Sequence, residues 1–364
     1  MKMSGITNKY KLLFHILSSL ATNRIYKLNF AITKRCNSRC KTCNNWFPAK
    51  DEQKTQNELT LAEIDNIFDN LGYSFAWVSI TGGEPFLRDD IVDIVKILLK
   101  RMPELKVLSI ISNGLDVQRV VKKIREILEL NIPSVYLKFS IDGLEEIHNI
   151  QRGIENAFSL TMETYTEVLE LKSRYPNLDV GPEATISQYN AQHLSEFLEW
   201  MKKRGDDLTV TICHNSYLYD NASSEQKLTP TQYLDDVKKV ISLLKNNLKP
   251  FKMEHHIQRY YLDNIINYLT GKPIPFKCTA SQASIALNAD GNVFPCLMWD
   301  RPLGSLREAG YDLNAILQGA ESIDAQKAIM ESRCPLCWTP CEAYQAIFNH
   351  IMAPFARPQK IRKH

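Results

Sequence analysis

Apolar positions along the chain follow two alternating periods. Short runs rich in β-branched residues and bounded by turn formers predict strands at Leu28–Thr33, Ala76–Thr81, Lys106–Ser112, Ser134–Ile141, Glu183–Ser187 and Leu208–Ile212. Between them, apolar residues recur at helical spacing over Leu61–Leu71, Asp90–Arg101, Val117–Leu130, Glu155–Arg174 and Ala191–Arg204. A further helix is predicted from Thr229 to Asn247. Thr60 followed by Glu63 has the form of a capping box opening the first of these helices. Alternating strands and helices imply a parallel sheet with right-handed crossovers, and the six units named here predict an α/β partial barrel. In barrels of that kind the active site lies at the C-terminal ends of the strands.

The flanks read differently. Asn8 to Tyr26 predicts an amphipathic helix, with Leu12, Leu13, Ile16, Leu17 and Leu20 on one face. It would pack on the barrel exterior or meet a membrane surface or partner. Its apolar run, Leu12 to Ala21, is broken by His15, Ser18 and Ser19 and is shorter than the roughly 20 residues a bilayer needs. No membrane span is expected, and the cysteines that follow argue against a secretory signal. From Pro273 periodicity weakens while cysteine, proline and glycine increase. The expected organisation is therefore an N-terminal helix over 1–26, a barrel over 27–218, a helical connection over 219–272, a small cysteine-rich domain over 273–349 and a basic tail over 350–364. The stretch before the barrel is too short for a fused leader-peptide recognition domain. With 44% hydrophobic and 23% charged residues among 364, the chain can bury a core. A net charge of +3 is too mild to argue for nucleic acid as the partner.

The nine cysteines carry the chemistry. Cys36, Cys40 and Cys43 follow the first strand in the spacing C-x3-C-x2-C. Cys278, Cys296, Cys334, Cys337 and Cys341 gather near the end, and Cys213 stands alone as a core thiol. Short spacings favour chelation over disulfides in a large intracellular chain. Three thiolates can hold three irons of a 4Fe–4S cube, whose full ligation takes four. The open iron is where chemistry happens. Thr81-Gly82-Gly83-Glu84-Pro85 closes the second strand, and its glycines let backbone bend sharply and approach a ligand. Ile111-Ser112-Asn113-Gly114 closes the third strand. Ser140-Ile141-Asp142-Gly143 closes the fourth and leads through His148 to Arg152-Gly153. The plainer alternatives are that Asp142 caps a turn and Arg152 is a solvated charge. Ile285 to Gly291 predicts a hairpin turning at Asp290-Gly291, which would set Cys278 beside Cys296. Four thiolates there would also suit zinc.

In these motifs the chain resembles the radical S-adenosylmethionine (SAM) superfamily. The resemblance implies a partial (β/α)6 TIM-like barrel whose first cluster, on Cys36, Cys40 and Cys43, binds the amino and carboxylate groups of SAM. By the same resemblance the backbone of Gly82, Gly83, Glu84 and Pro85 receives the SAM amino group, and Ser112 and Asn113 contact SAM. Ser140 and Asp142 would lie near its ribose or carboxylate, with Arg152 pairing the carboxylate. One departure is Thr42, where the family usually places an aromatic residue against the adenine; Trp46 is the nearby candidate to stack there. The later cysteines resemble the C-terminal extensions called SPASM and twitch domains. A full SPASM domain carries seven cysteines and two auxiliary clusters, so the five present here imply one auxiliary 4Fe–4S cluster. The twitch arrangement of an aminocyclitol dehydrogenase favours Cys278, Cys296, Cys334 and Cys337, while the SPASM ending allows Cys341 to replace one of them.

The family implies reductive cleavage of SAM to a 5′-deoxyadenosyl radical, hydrogen abstraction from the substrate, and an oxidative outcome with the auxiliary cluster accepting an electron. Two substrates fit this: a peptide or protein that is crosslinked or oxidised, and a sugar or cyclitol that is dehydrogenated. A lipid or lipid-linked substrate at a membrane surface is the alternative, suggested by the N-terminal helix and the basic run Arg357–Lys363. The expected setting is cytoplasmic, with a flavodoxin or ferredoxin as electron donor. A non-catalytic iron–sulfur sensor or carrier is the reading from another class, and such a protein needs no SAM-contacting motifs.

Overall fold

The computed structural model describes residues 24–46, 55–216, 219, 221, 230–249 and 252–352. Six parallel strands run β1 (Lys27–Thr33), β2 (Trp77–Gly82), β3 (Val107–Ser112), β4 (Val135–Ser140), β5 (Leu178–Ile186) and β6 (Thr209–Ile212). Between them lie α1 (Leu61–Asp69), α2 (Ile91–Arg101), α3 (Val117–Leu128), α4 (Glu145–Arg152), α5 (Ala157–Glu170) and α6 (Leu194–Arg204). The C-terminal half adds α7 (Pro230–Asn246), α8 (Met253–Leu269), β7 (Ser284–Leu287), β8 (Asn292–Phe294), β9 (Gly304–Ser305), α9 (Leu313–Gln318), α10 (Ala320–Met330) and α11 (Pro340–Met352).

The sheet order is β6-β5-β4-β3-β2-β1-β7-β8-β9. One face is the core: Leu28, Phe30, Ile32, Val78, Ile80, Leu108 and Ile110 are buried beneath the helices. The residues between them in sequence project to the other face, because successive side chains alternate. That inner face is polar, with Lys27, Asn29, Ser79, Ser109, Lys138 and Glu183 among its members. Ser79 and Ser109 hydroxyls meet at 2.6 Å, Trp77 Nε1 donates to Ser109 Oγ at 2.9 Å, and Lys27 Nζ lies 4.9 Å from the centre of the Trp77 ring.

The cysteine-rich region shares this sheet. β7 pairs parallel with β1, from Lys27 with Ser284 to Phe30 with Leu287, and the expected β7–β8 hairpin turns at Asp290-Gly291. Lys34 Nζ pairs with Asp290 Oδ2 at 2.6 Å, tying that turn to the exit of β1. The capping box at Thr60 and Glu63 is formed, and the same Glu63 carboxylate holds Arg307 at 2.7 Å and Tyr311 at 3.0 Å.

Within the barrel, two elements depart from the sequence expectation. β5 starts at Leu178 rather than Glu183, running through Gly181 and Pro182. β6 pairs only from Glu183 onward, so Pro182 has no partner strand on that side, where strand proline is tolerated. α4 is a helix that the sequence reading does not predict, since it runs only from Glu145 to Arg152 and the residues it buries, His148 and Gln151, are polar. The predicted helix Asn8–Tyr26 lies outside the described residues except for Arg24–Tyr26, which are not helical. The basic run Arg357–Lys363 lies outside them altogether. Among the described residues no helix is long and apolar enough to cross a membrane.

Candidate functional site

The loop after β1 carries Cys36, Cys40 and Cys43, all as free thiols. It is held from both sides. On one side the C-terminal end of α4 docks on it: Arg39 N–H donates to the Arg152 carbonyl at 2.9 Å and Lys41 N–H to the Gln151 carbonyl at 2.8 Å. Gly153 follows at φ 66°, and a Cβ there would lie 2.3 Å from the Arg39 carbonyl oxygen. Only glycine satisfies both demands. On the other side Asn44 N–H donates to the Tyr219 carbonyl at 2.8 Å, and Asn221 Nδ2 donates to the Thr42 carbonyl at 2.8 Å. Thr42 and Trp46 are half-buried on this loop.

Gly82 ends β2, and Gly83-Glu84 packs directly on the start of the loop. Gly83 N–H donates to the Thr33 carbonyl at 2.8 Å and Glu84 N–H to the Arg35 carbonyl at 2.7 Å. A Cβ on Gly83 would stand 2.1 Å from the Arg35 oxygen. Close approach of two backbones is therefore a nearer cause of this glycine than space for a ligand. Pro85 opens a 3-10 turn, Pro85–Leu87. The Glu84 carboxylate turns inward and accepts from Ser112 Oγ at 2.9 Å, Asn113 N–H at 2.7 Å and Phe86 N–H at 3.2 Å. Burial pushes its pKa up to about 7 against these donors. Glu84 thus fixes the end of β3, and Asn113 Nδ2 reaches Asn37 Oδ1 at 2.8 Å.

At the end of β4 the Ser140 side chain is half-buried and Asp142 is fully buried. Asp142 Oδ1 accepts from Thr185 N–H at 2.9 Å, its own N–H donates to His148 Nδ1 at 3.1 Å, and Oδ2 stands 2.7 Å from Arg152 Nε. Arg152 is 12% exposed, so it is not a solvated charge, and its Nη1 donates to Cys40 Sγ at 3.5 Å. Gln151, Ser187 and Asn190 complete this buried network: Ser187 Oγ donates to Gln151 Oε1 at 2.6 Å and Asn190 Nδ2 to the Asp142 carbonyl at 2.8 Å. Sequence reasoning missed these three, as it missed Ser38, Tyr219 and Asn221. Each is a neutral polar residue whose partner, a backbone group or another such side chain, lies far along the chain.

The second group gathers around Cys296. Cys278, Cys334 and Cys337 pack with Cys296, Met298 and Tyr219 into one patch. Ala280 N–H points to Cys278 Sγ at 3.5 Å and Met298 N–H to Cys296 Sγ at 3.4 Å, the donors a thiolate accepts. Cys341 is placed differently, on the first turn of α11. Its carbonyl takes Lys27 Nζ at 2.8 Å and Gln345 Nε2 at 2.6 Å. Tyr219 packs against the Cys296 patch, and its carbonyl accepts from Asn44 N–H, next to Cys43. Cys213 is buried at the end of β6 and belongs to neither group.

Burial, reinforced by neighbouring thiols, pushes Cys36 up to about 12; burial alone does most of the same for Cys337, also to about 12. Cys43, Cys278 and Cys296 are raised as well, again chiefly by burial. Such thiols stay protonated until a metal compensates the charge of the thiolate. Sets of thiolate donors of this kind suit an iron–sulfur cluster.

Comparison with known proteins follows the same division. A family described as the radical SAM superfamily matches residues 30–189, and an iron–sulfur cluster-binding domain, SPASM, matches 278–342. The GTP 3′,8-cyclase of Sulfurimonas denitrificans is 24% identical over 299 residues, 76% of this chain and 81% of that protein. The pre-heme d1 synthase of Dinoroseobacter shibae is 28% identical over 177 residues, 48% of this chain and 40% of that protein. Among solved structures, anSMEcpe with bound AdoMet and the Cp18Cys peptide superposes with a TM-score of 0.56 at 18% identity, covering 90% of this chain and 97% of that one. That likeness is one of fold.

Proposed function

We propose, on the premise that the chain belongs to the radical SAM superfamily and carries a SPASM domain, that it modifies a polar substrate held against the inner face of its barrel. Cys36, Cys40 and Cys43 would hold the SAM-binding 4Fe–4S cluster, and Cys278, Cys296, Cys334 and Cys337 one auxiliary cluster. When bound, the first cluster supplies the electron that splits SAM into methionine and a hydrogen-abstracting 5′-deoxyadenosyl radical, and the auxiliary cluster supplies an acceptor for the electron left on the substrate.

The chain's own residues bind and orient. Glu84 sets Ser112 and Asn113 at one wall of the SAM pocket, and the backbone of Gly82 to Pro85 lies beside them. Ser140 follows at the end of the neighbouring strand β4, Asp142 acts from its buried position through Arg152, and Thr42 and Trp46 on the loop supply the adenine side. Below, Lys138 and Glu183 project from adjacent strands, and burial, opposed by Lys138, raises the Glu183 pKa. A polar wall of this kind offers hydrogen-bonding groups that a sugar, nucleotide or peptide group can use and a lipid chain cannot. The name GTP 3′,8-cyclase denotes a polar substrate as well, and also a cyclisation, so the oxidative outcome rests on the auxiliary site alone.

The observation that carries the reading is the packing of Cys278, Cys334 and Cys337 with Cys296 into one patch, apart from Cys36, Cys40 and Cys43 on the loop after β1. Single Ala variants of the C-terminal cysteines test it. Loss of auxiliary-cluster iron is expected for Cys278, Cys296, Cys334 and Cys337, and retention for Cys341, with SAM cleavage kept in every case. Iron analysis with Mössbauer spectra decides. Loss of the cluster on Cys341→Ala, or zinc in place of iron, would overturn the assignment.

A further inference from the structure

Arg152 closes α4 with both its backbone and its side chain on the cysteine loop. Its carbonyl accepts from Arg39 N–H at 2.9 Å and from Ser38 Oγ at 3.1 Å. Its guanidinium spans two partners: Nε stands 2.7 Å from Asp142 Oδ2, and Nη1 donates to Cys40 Sγ at 3.5 Å. Asp142 is 0% exposed and fixed by the Thr185 amide, so the carboxylate is a rigid anchor. The planar fork of arginine allows one edge to hold a carboxylate while the other reaches a sulfur; a lysine offers a single point charge.

Ser38 Oγ lies 3.0 Å from Cys40 Sγ and 3.1 Å from the Arg152 carbonyl, so its single proton can serve either acceptor, and it brings no charge to the sulfur. Asn113 Nδ2 is 3.9 Å from Cys36 Sγ and is aimed at Asn37. A Cys40 thiolate therefore takes its charged donor from Arg152. Hydrogen bonds to sulfur, net charge and solvent exposure set the potential of an iron–sulfur cluster. Reduction adds a negative charge, so a buried cation donating to a ligating sulfur favours the reduced state. Asp142 opposes this by its charge but from the far side of the guanidinium.

We propose that Arg152 is a positioning residue of the first cluster: anchored by Asp142, it donates to the Cys40 thiolate and raises the reduction potential. This rests on Cys36, Cys40 and Cys43 holding that cluster. It goes beyond a role as partner of the SAM carboxylate, because it acts when SAM is absent.

The experiment is a redox titration of the reduced-cluster EPR signal in the full-length reconstituted protein, without and with SAM, for wild type, Arg152→Lys and Arg152→Met. The SAM-sensitive signal identifies the first cluster. With iron content held, the SAM-free potential is expected to fall in Arg152→Met and to fall less in Arg152→Lys. An unchanged SAM-free potential with a weakened SAM effect would overturn the proposal and leave Arg152 as a SAM contact. If the variants lose iron, wild type labelled with 15N in the arginine guanidinium groups carries the test: pulsed EPR should detect a nitrogen coupled to the reduced cluster, and its absence overturns the proposal. A wild type with no SAM-sensitive signal would instead remove the cluster assignment itself.

Discussion

Gly153 shows how much a single residue does at this site. It ends α4 in a left-handed conformation while its Cα faces the Arg39 carbonyl. Gly153→Ala would add a left-handed penalty of roughly 1–2 kcal/mol before any clash is counted. The clash falls on backbone, which cannot swing aside, so the loop bearing Cys40 must move. The expected result is lower iron occupancy of the first cluster with the auxiliary cluster retained, read by iron content and Mössbauer spectra. Gly205 is the control, because it too has a positive φ but nothing lies within 4 Å of where its methyl group would stand. Its alanine variant should cost stability without iron loss. Equal iron in the two variants would show that α4 does not position the loop. Residues of this kind are only partly legible in sequence. The cysteines and the glycine motif declared themselves by spacing. Ser38, Gln151, Asn190 and Asn221 did not, because each works through a partner far along the chain.

Among the elements, the segment after β6 joins the barrel to the second cysteine group. His214 Nδ1 lies 2.6 Å from the Ile212 carbonyl, and its Nε2 accepts from Trp338 N–H at 3.1 Å, one residue past Cys337. Trp338 in turn stacks between Tyr261 and Phe276. The histidine is bound in its neutral form, and burial pushes its pKa down to about 4 from 6.5. A depressed histidine stabilises the fold fully above the unfolded pKa, and that stability is lost as pH falls from 6.5 toward 4. His214→Phe leaves a buried Trp338 amide unpaired, a loss of about 1–3 kcal/mol. The thermal-stability gap between wild type and His214→Phe should therefore be wide at about pH 7.5 and narrower at about pH 5.5. A gap that does not change with pH would mean that the ring is not held neutral. The strand and helix pattern of the barrel was readable because apolar period and burial coincide there. α4 was not, since its buried residues are polar, and β7 was expected only as half of a hairpin: pairing with β1 depends on a register set across more than 250 positions of sequence.

Across the whole molecule, one sheet joins both cysteine groups, with β1 leading to the first and its neighbour β7 opening the hairpin that lies between Cys278 and Cys296 of the second. Glu342 is buried beneath them, accepting from Ser284 Oγ and Asn29 Nδ2 with Lys27 close by, so the floor of the barrel is charged and internally paired. A rigid common sheet fixes the distance between two metal centres, which a flexible tether would not. The central claim is that this arrangement holds two clusters, of which only the first serves SAM cleavage. Anaerobic reconstitution of wild type and of the combined Cys36→Ala, Cys40→Ala, Cys43→Ala variant, with iron, sulfide and 5′-deoxyadenosine measured on each, tests it most directly. Wild type should hold about two 4Fe–4S clusters per chain and form 5′-deoxyadenosine under reduction, while the variant should keep the auxiliary cluster and form none. 5′-Deoxyadenosine at the wild-type level in the variant, or a wild type that holds iron but cleaves no SAM, would contradict the account.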